Sequence, residues 1–174
     1  MNWAWIIVAL LALQRLGEVI HSNRNTAALI ARGGHEEGRA HYPVMIALHV
    51  SWLIALLVFL PSPVVIYWPL VGVMVLCQAG RLWIVHTLGP YWTTRIITLP
   101  SAPLVTAGPY RLMRHPNYVI VVIEIAVLPL AFGEYWIAGI FSILNAAMLA
   151  WRIRVEDAAL ALRRSITQSH TSAA

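Results

Sequence analysis

Charge is scarce in this chain of 174 residues: only 11% of it is charged, against about 25% in soluble domains. Lysine is absent, and all 12 basic residues are arginines. With 60% of the residues hydrophobic, the composition excludes an ordinary soluble domain and places the chain in the membrane class. A net charge of +5 would suggest a nucleic-acid partner in a soluble protein. Here the arginines occupy short gaps between apolar runs, so membrane topology accounts for them and no nucleic-acid face is expected. Cysteine occurs once, as Cys77. That excludes a disulfide within the chain and a cysteine metal site, and leaves Cys77 as a small apolar residue. His35, His41 and His49 are too dispersed for a ligand pattern such as HExxH, so no metal is expected. A signal peptide is not expected either. The N-terminus has no positive charge ahead of its apolar run, which leads into Gln14-Arg15-Leu16-Gly17-Glu18 and not into a small-residue cleavage site. Internal repeats and low-complexity blocks are also missing.

What the chain does have is apolar runs of membrane length. About 20 mainly apolar residues cross a bilayer. Runs at 3–21, 43–60, 67–88, 116–132 and 135–151 meet or approach that length. A charged helix at 152–167 then leaves the membrane. Pro61-Ser62-Pro63 and Gly133-Glu134 punctuate the runs, and Pro116 opens the fourth where its missing N–H does no harm. The expected fold is one all-α integral membrane domain over 1–174, with about five transmembrane helices, a helical hairpin and a cytoplasmic C-terminal helix.

The arginines orient this frame. Arg24, Arg32 and Arg39 lie between the first two runs, Arg95, Arg111 and Arg114 between the third and fourth, and Arg152, Arg154, Arg163 and Arg164 after the fifth. The two other connections carry none. The positive-inside rule then puts the N-terminus outside and the C-terminus in the cytoplasm of the cell (inner) membrane, with every arginine-bearing segment on one face.

On that face lies the polar island of the chain, residues 102–118, rich in turn formers, cations, tyrosine and histidine. Other polar groups stand where lipid is expected. Glu124 is eight residues into the fourth run, so about 12 Å deep at 1.5 Å per residue. A carboxylate there faces a cavity or a partner. It is either hydrogen-bonded to Arg15, Arg81 or His49 as a structural group, or acts as a general base or as a group that orients the acceptor of a reaction. Gln14, Glu18 and His21 form one helical stripe. Asn145, Leu149, Arg152 and Glu156 form another, at steps of four, three and four, which runs out of the membrane. It is either a solvated face with an ordinary Arg152–Glu156 pair or a lid over the polar island.

Three motifs carry a resemblance. Gly108-Pro109-Tyr110, Arg114-His115-Pro116-Asn117-Tyr118 and Arg152-Ile153-Arg154-Val155-Glu156-Asp157 occur in the order and spacing of the isoprenylcysteine carboxyl methyltransferase family. The chain resembles that family over about 95–162. The resemblance implies a membrane-embedded methyltransferase that uses S-adenosylmethionine. It implies cofactor contacts at Ala102, Pro103, Leu104, Val105, Tyr110, His115, Pro116, Asn117 and Tyr118, a further one at Glu156, and an acceptor contact at Arg152. Arg95 stands where the prenylcysteine enzyme contacts the cofactor through glutamine. Ile120 replaces a glycine common in the family, and Asp157 replaces a second glutamate. Arg-His-Pro-Asn-Tyr followed by Glu124, with His41-Tyr42 upstream, is more similar to a bacterial branch associated with phenolic lipids, alkylresorcinols or alkylpyrones. That implies a functional link to a type III polyketide synthase.

Two lipophilic acceptors reached from the bilayer are therefore expected alternatives. A prenylcysteine-type carboxylate, with a pKa of about 3.5, arrives ionised and needs only a cation such as Arg152 to align it. A phenolic polyketide lipid, with a pKa of about 10, must lose a proton, and Glu124 is the candidate base. Two other classes stand against this reading: an integral-membrane NADPH-dependent reductase with a sterol-reductase-like frame, and a non-catalytic membrane scaffold.

Overall fold

A computed structural model describes residues 3–99, 102 and 105–171, with side chains in the last helix as far as residue 160. Five α-helices form the body: α1 (Trp3–Ala31), α2 (His41–Val58), α3 (Trp68–Leu88), α4 (Pro116–Ala131) and α5 (Tyr135–Thr171). Four of them, α1, α2, α3 and α5, are long and apolar enough to cross a membrane. The fifth, α4, has 16 residues, about 24 Å at 1.5 Å per residue, which is short of a full span. The chain is a multi-pass helical membrane protein.

The helices pack as the short connections require. Neighbours α3 and α4 run against each other, α4 packs on α5, and α5 returns to α2. Their shared core is apolar, built around Leu56, Ile125, Leu128, Ala131 and Phe132. Lipid-facing positions stay apolar as well. Leu10, Leu13, Leu76, Leu82 and Ile143 are all exposed, as a helix bathed in hydrocarbon allows.

Two boundaries differ from the sequence expectation. The first helix does not stop at His21 but continues ten residues to Ala31, so Arg24 is on a helix and not in a loop. The extra turns are held by tertiary partners, described below. No proline or glycine interrupts residues 150–155 either, so the fifth membrane helix and the charged helix after it are one element of 37 residues. A feature absent from the helical periodicity completes the fold. β1 (His35–Glu37) pairs antiparallel with β2 (Ile96–Thr98), in the register His35 with Thr98 and Glu37 with Ile96. Three-residue strands between polar connections are too short to leave a periodic signal.

The ribbon, the end of α1, the starts of α2 and α4 and the middle of α5 meet at one end of the bundle. That is the arginine-bearing end. The opposite end holds the α2–α3 turn and the tight turn Gly133-Glu134.

Candidate active site

A cavity of about 410 Å³ opens at the arginine-bearing end, within the usual range for a small-molecule site of about 300–1,000 Å³. Its wall contains Ala102, Val105, Tyr110, His115, Pro116, Asn117 and Tyr118 from the polar segment, and Arg152 and Glu156 from α5. Nearly every residue singled out by the motifs is therefore brought to one hollow. Pro103 and Leu104 lie outside the described residues. Glu124 is not part of the wall.

The polar segment reaches the hollow through two turns. A 3-10 turn, Gly108–Arg111, carries Tyr110. Gly108 has φ 55°, and a Cβ there would stand 2.6 Å from Thr87 Oγ1, so the turn seats on α3 only because that residue is glycine. Burial, and after it the charge of Glu156, pushes the Tyr110 phenol above its ordinary pKa, so it is a neutral wall group. The second turn ends at His115, which precedes Pro116 at the first position of α4. The His115 and Tyr118 rings stack at 5.2 Å with an interplanar angle of 12°.

Tyr118 joins α4 to α5. Its hydroxyl accepts from Arg152 Nε at 2.9 Å and donates to Glu156 Oε2. Arg152 and Glu156, the pair expected to be either a solvated contact or a lid, are thus joined through a third side chain at the cavity. Glu156 also lies 3.7 Å from His115 Nδ1, and Asp157 lies 3.5 Å from His115 Nε2. Of the α5 stripe, Asn145, Leu149 and Arg152 are buried.

Arg152 is 6% exposed, and its other donors are also engaged. Nη2 donates to the Thr94 carbonyl at 2.6 Å, and Nη1 to Met45 Sδ at 2.9 Å, with His41 Nε2 at 3.5 Å. Among the described residues these hydrogen-bond partners are neutral. A buried cation held by dipoles and not neutralised by a touching carboxylate keeps its field for whatever enters the cavity.

Thr94 is a junction that sequence reasoning missed. Its N–H donates to Ser22 Oγ at 2.7 Å, and its hydroxyl shares hydrogen bonds with Ser22 at 2.8 Å and Tyr42 at 3.2 Å. Asn25 Nδ2 donates to the carbonyls of Gly89 and Trp92, at 3.1 and 2.8 Å. His21 stacks on Trp92 at 5.8 Å, and Leu29 packs with Leu99 and Ala102. The late turns of α1 therefore hold the strand that holds Arg152. A signal existed: Gln14, Glu18, His21 and Asn25 continue one stripe at steps of four, three and four past the end of the apolar run.

Arg95 lies on the wall, yet its guanidinium is engaged by Glu36 at 2.8 Å and stacks 4.0 Å over the Tyr42 ring. Arg95, directly ahead of β2, is thereby tied to β1 and α2.

Inside the bundle, Glu124 forms a closed cluster. It accepts from Arg15 Nη2 at 2.9 and 3.0 Å, from Gln78 Nε2 at 2.7 Å and from Arg81 Nη2. Arg15 also donates to Glu18 at 2.8 Å. Two cations and two carboxylates balance, which is how ionised groups survive among apolar helices. His49 takes no part among the hydrogen bonds described; its Nδ1 pairs with the Met45 carbonyl at 2.8 Å.

With this geometry in place, the comparison with known proteins is direct. The sequence profile of the isoprenylcysteine carboxyl methyltransferase family matches residues 70–162, from α3 through the site-bearing part of α5. The chain belongs to that family. It is accordingly a membrane methyltransferase. The chain is also 36% identical over 160 residues to Uncharacterized protein YpbQ of Bacillus subtilis (strain 168), an alignment covering 90% of this chain and 95% of that one. That relative thus extends over α1 and α2, which the family profile does not reach. No solved structure matches the chain.

Proposed function

We propose that this methyltransferase uses S-adenosylmethionine to methylate an oxygen of a lipophilic acceptor at the membrane interface. The observation that carries the reading is the Arg152–Tyr118–Glu156 chain on the wall of a cavity built from all three family motifs.

The wall suits such a cofactor. Glu156 offers a carboxylate to positive groups, Arg114 a cation to a carboxylate, and Tyr91, Trp92 and Tyr110 offer flat apolar surface to a base. When bound, the sulfonium supplies the methyl group for an in-line displacement, in which the acceptor oxygen forms the new bond and the thioether leaves. The chain's own work is positioning and exclusion of water. Tyr118 holds Glu156 in one orientation, and Leu29, Ile97 and Leu99 keep one side of the hollow apolar.

Arg152 is the group placed to meet the acceptor. A buried cation with neutral partners favours an oxygen presented as an anion. Both the prenylcysteine-type carboxylate and the phenolate of a polyketide lipid satisfy this, and the phenolic lipid carries with it the functional link to a type III polyketide synthase. Glu124 is held by two arginines and a glutamine away from the wall, which supports its structural reading over that of a base. The N-terminus is outside and the C-terminus cytoplasmic in the cell inner membrane, so the cavity faces the cytosolic cofactor pool while the acceptor arrives from lipid.

The test is a titration of purified protein in lipid nanodiscs with S-adenosylmethionine and with NADPH, followed by transfer of a labelled methyl group to each acceptor class. Saturable binding of S-adenosylmethionine and transfer to one acceptor are expected. Binding of NADPH alone would establish the reductase, and binding of neither the scaffold.

A further inference from the structure

A carboxylate in an apolar helix costs a few kcal/mol even on the most lenient scale, and a buried ion cluster that serves stability alone can be replaced by apolar side chains. The Glu124 cluster has one feature that stability does not require. Arg81, whose Nη2 donates to Glu124, donates from Nη1 to Asn117 Oδ1 at 3.0 Å. Asn117 lies on the cavity wall, directly between Pro116 and Tyr118 in the motif. The cluster within the bundle and the candidate site thus share one residue.

The chemistry of that contact is directional. A guanidinium has five N–H donors and no acceptor. Facing it, the Asn117 amide must present its oxygen, and its planar geometry then sends the NH2 group the other way. Without Arg81 the amide could rotate and offer the cavity either a donor or an acceptor. With Arg81 held by Glu124, only one end is available. Both ions are nearly fully buried, with side-chain exposures of 4% and 5%, so their attraction is weakly screened and their geometry is fixed.

We propose that Glu124 and Arg81 are positioning residues that lock the Asn117 amide so that its NH2 donates a hydrogen bond to a lone-pair acceptor on the bound cofactor. The inference rests on the proposed cofactor site. It gives the intramembrane glutamate a role in binding that passes through two other side chains and requires no proton transfer.

The experiment begins with wild-type protein and S-adenosylmethionine. Absence of binding there would sink the proposed function itself. Given binding, Asn117→Asp keeps an acceptor for Arg81 and removes the donor. Affinity is expected to fall at least about tenfold, the loss of one good hydrogen bond, while the melting temperature holds. Unchanged affinity would overturn the inference. If the decarboxylated cofactor erases the penalty, the acceptor is the carboxylate. If the penalty persists, the acceptor lies on the nucleoside, and the donor role stands in either case. Glu124→Gln is expected to weaken cofactor affinity with kcat at saturation retained. Lost turnover with full affinity would instead identify a base and overturn the positioning role. Should that variant fail to fold, Arg81→Lys keeps the charge beside Glu124 but lacks the fork that serves two partners. It is expected to show the same loss of affinity, and full affinity would count against the proposal.

Discussion

Arg152 and Thr94 are joined by a hydrogen bond of 2.6 Å from guanidinium to main-chain carbonyl, and Thr94 is in turn anchored by Ser22 of α1. Three separate parts of the chain therefore decide where one cation sits. Because the α5 residue is fixed by an α1 residue it never touches, the first helix is part of the site and not only of the membrane frame.

Ser22→Ala is the direct probe of this arrangement. It removes the acceptor of the half-buried Thr94 N–H, at a cost of about 0.5–1.5 kcal/mol. Turnover is expected to fall more than cofactor affinity, since Arg152 loses its register against the acceptor. Methyl-transfer kinetics alongside a cofactor titration check the split, and equal losses in both would separate Ser22 from Arg152.

Tyr118→Phe keeps the ring that stacks on His115 and deletes only the hydroxyl between Arg152 and Glu156. A hydrogen bond to a charged group contributes about 1.5–3 kcal/mol. The loss of the bridge is expected to weaken S-adenosylmethionine binding by roughly tenfold to a hundredfold. Isothermal titration of the variant provides the measurement, and wild-type affinity would show the bridge to be incidental.

Glu134, at the turn away from the site, gives a pH signature. Both its carboxylate oxygens are buried without a hydrogen-bond partner among the described residues, and burial raises its pKa from 4.5 to about 7. The folded state thus holds the proton more tightly than the unfolded state. Its contribution to stability is complete below pH 4.5 and is lost as pH rises through about 7. Melting temperatures of wild type and Glu134→Gln between pH 4.5 and 8 should diverge across that window, the variant being the flatter. Parallel curves would mean that Glu134 finds a partner in the membrane.

Much of this was legible without coordinates. Apolar run length marks a membrane helix because the bilayer sets that length. The α5 stripe from Asn145 to Glu156 was readable because helical spacing alone decides which residues share a face. The family motifs were readable because residues 108–118 and 152–157 keep their order and spacing. The stripe from Gln14 to Asn25 was readable, but what Ser22 and Asn25 hold was not. Their partners are main-chain groups of Gly89, Trp92 and Thr94, and a backbone amide leaves no mark in a sequence. Nor does local pattern extend α1 to Ala31, since tertiary hydrogen bonds and the Leu29–Leu99–Ala102 contact hold those turns.

Glu124 divides the two sources of information most clearly. The sequence by itself determined that a carboxylate lies in an apolar helix and must have partners, because desolvation of an unpaired charge is too costly. It determined too that Arg15 and Arg81 were among the candidates. Only the tertiary structure decided that both converge on it, that Gln78 joins them, and that Arg81 reaches past it to Asn117 on the cavity wall. The reason is physical: composition and periodicity set what each helix must bury, whereas the rotation and depth of one helix against another set which buried groups meet.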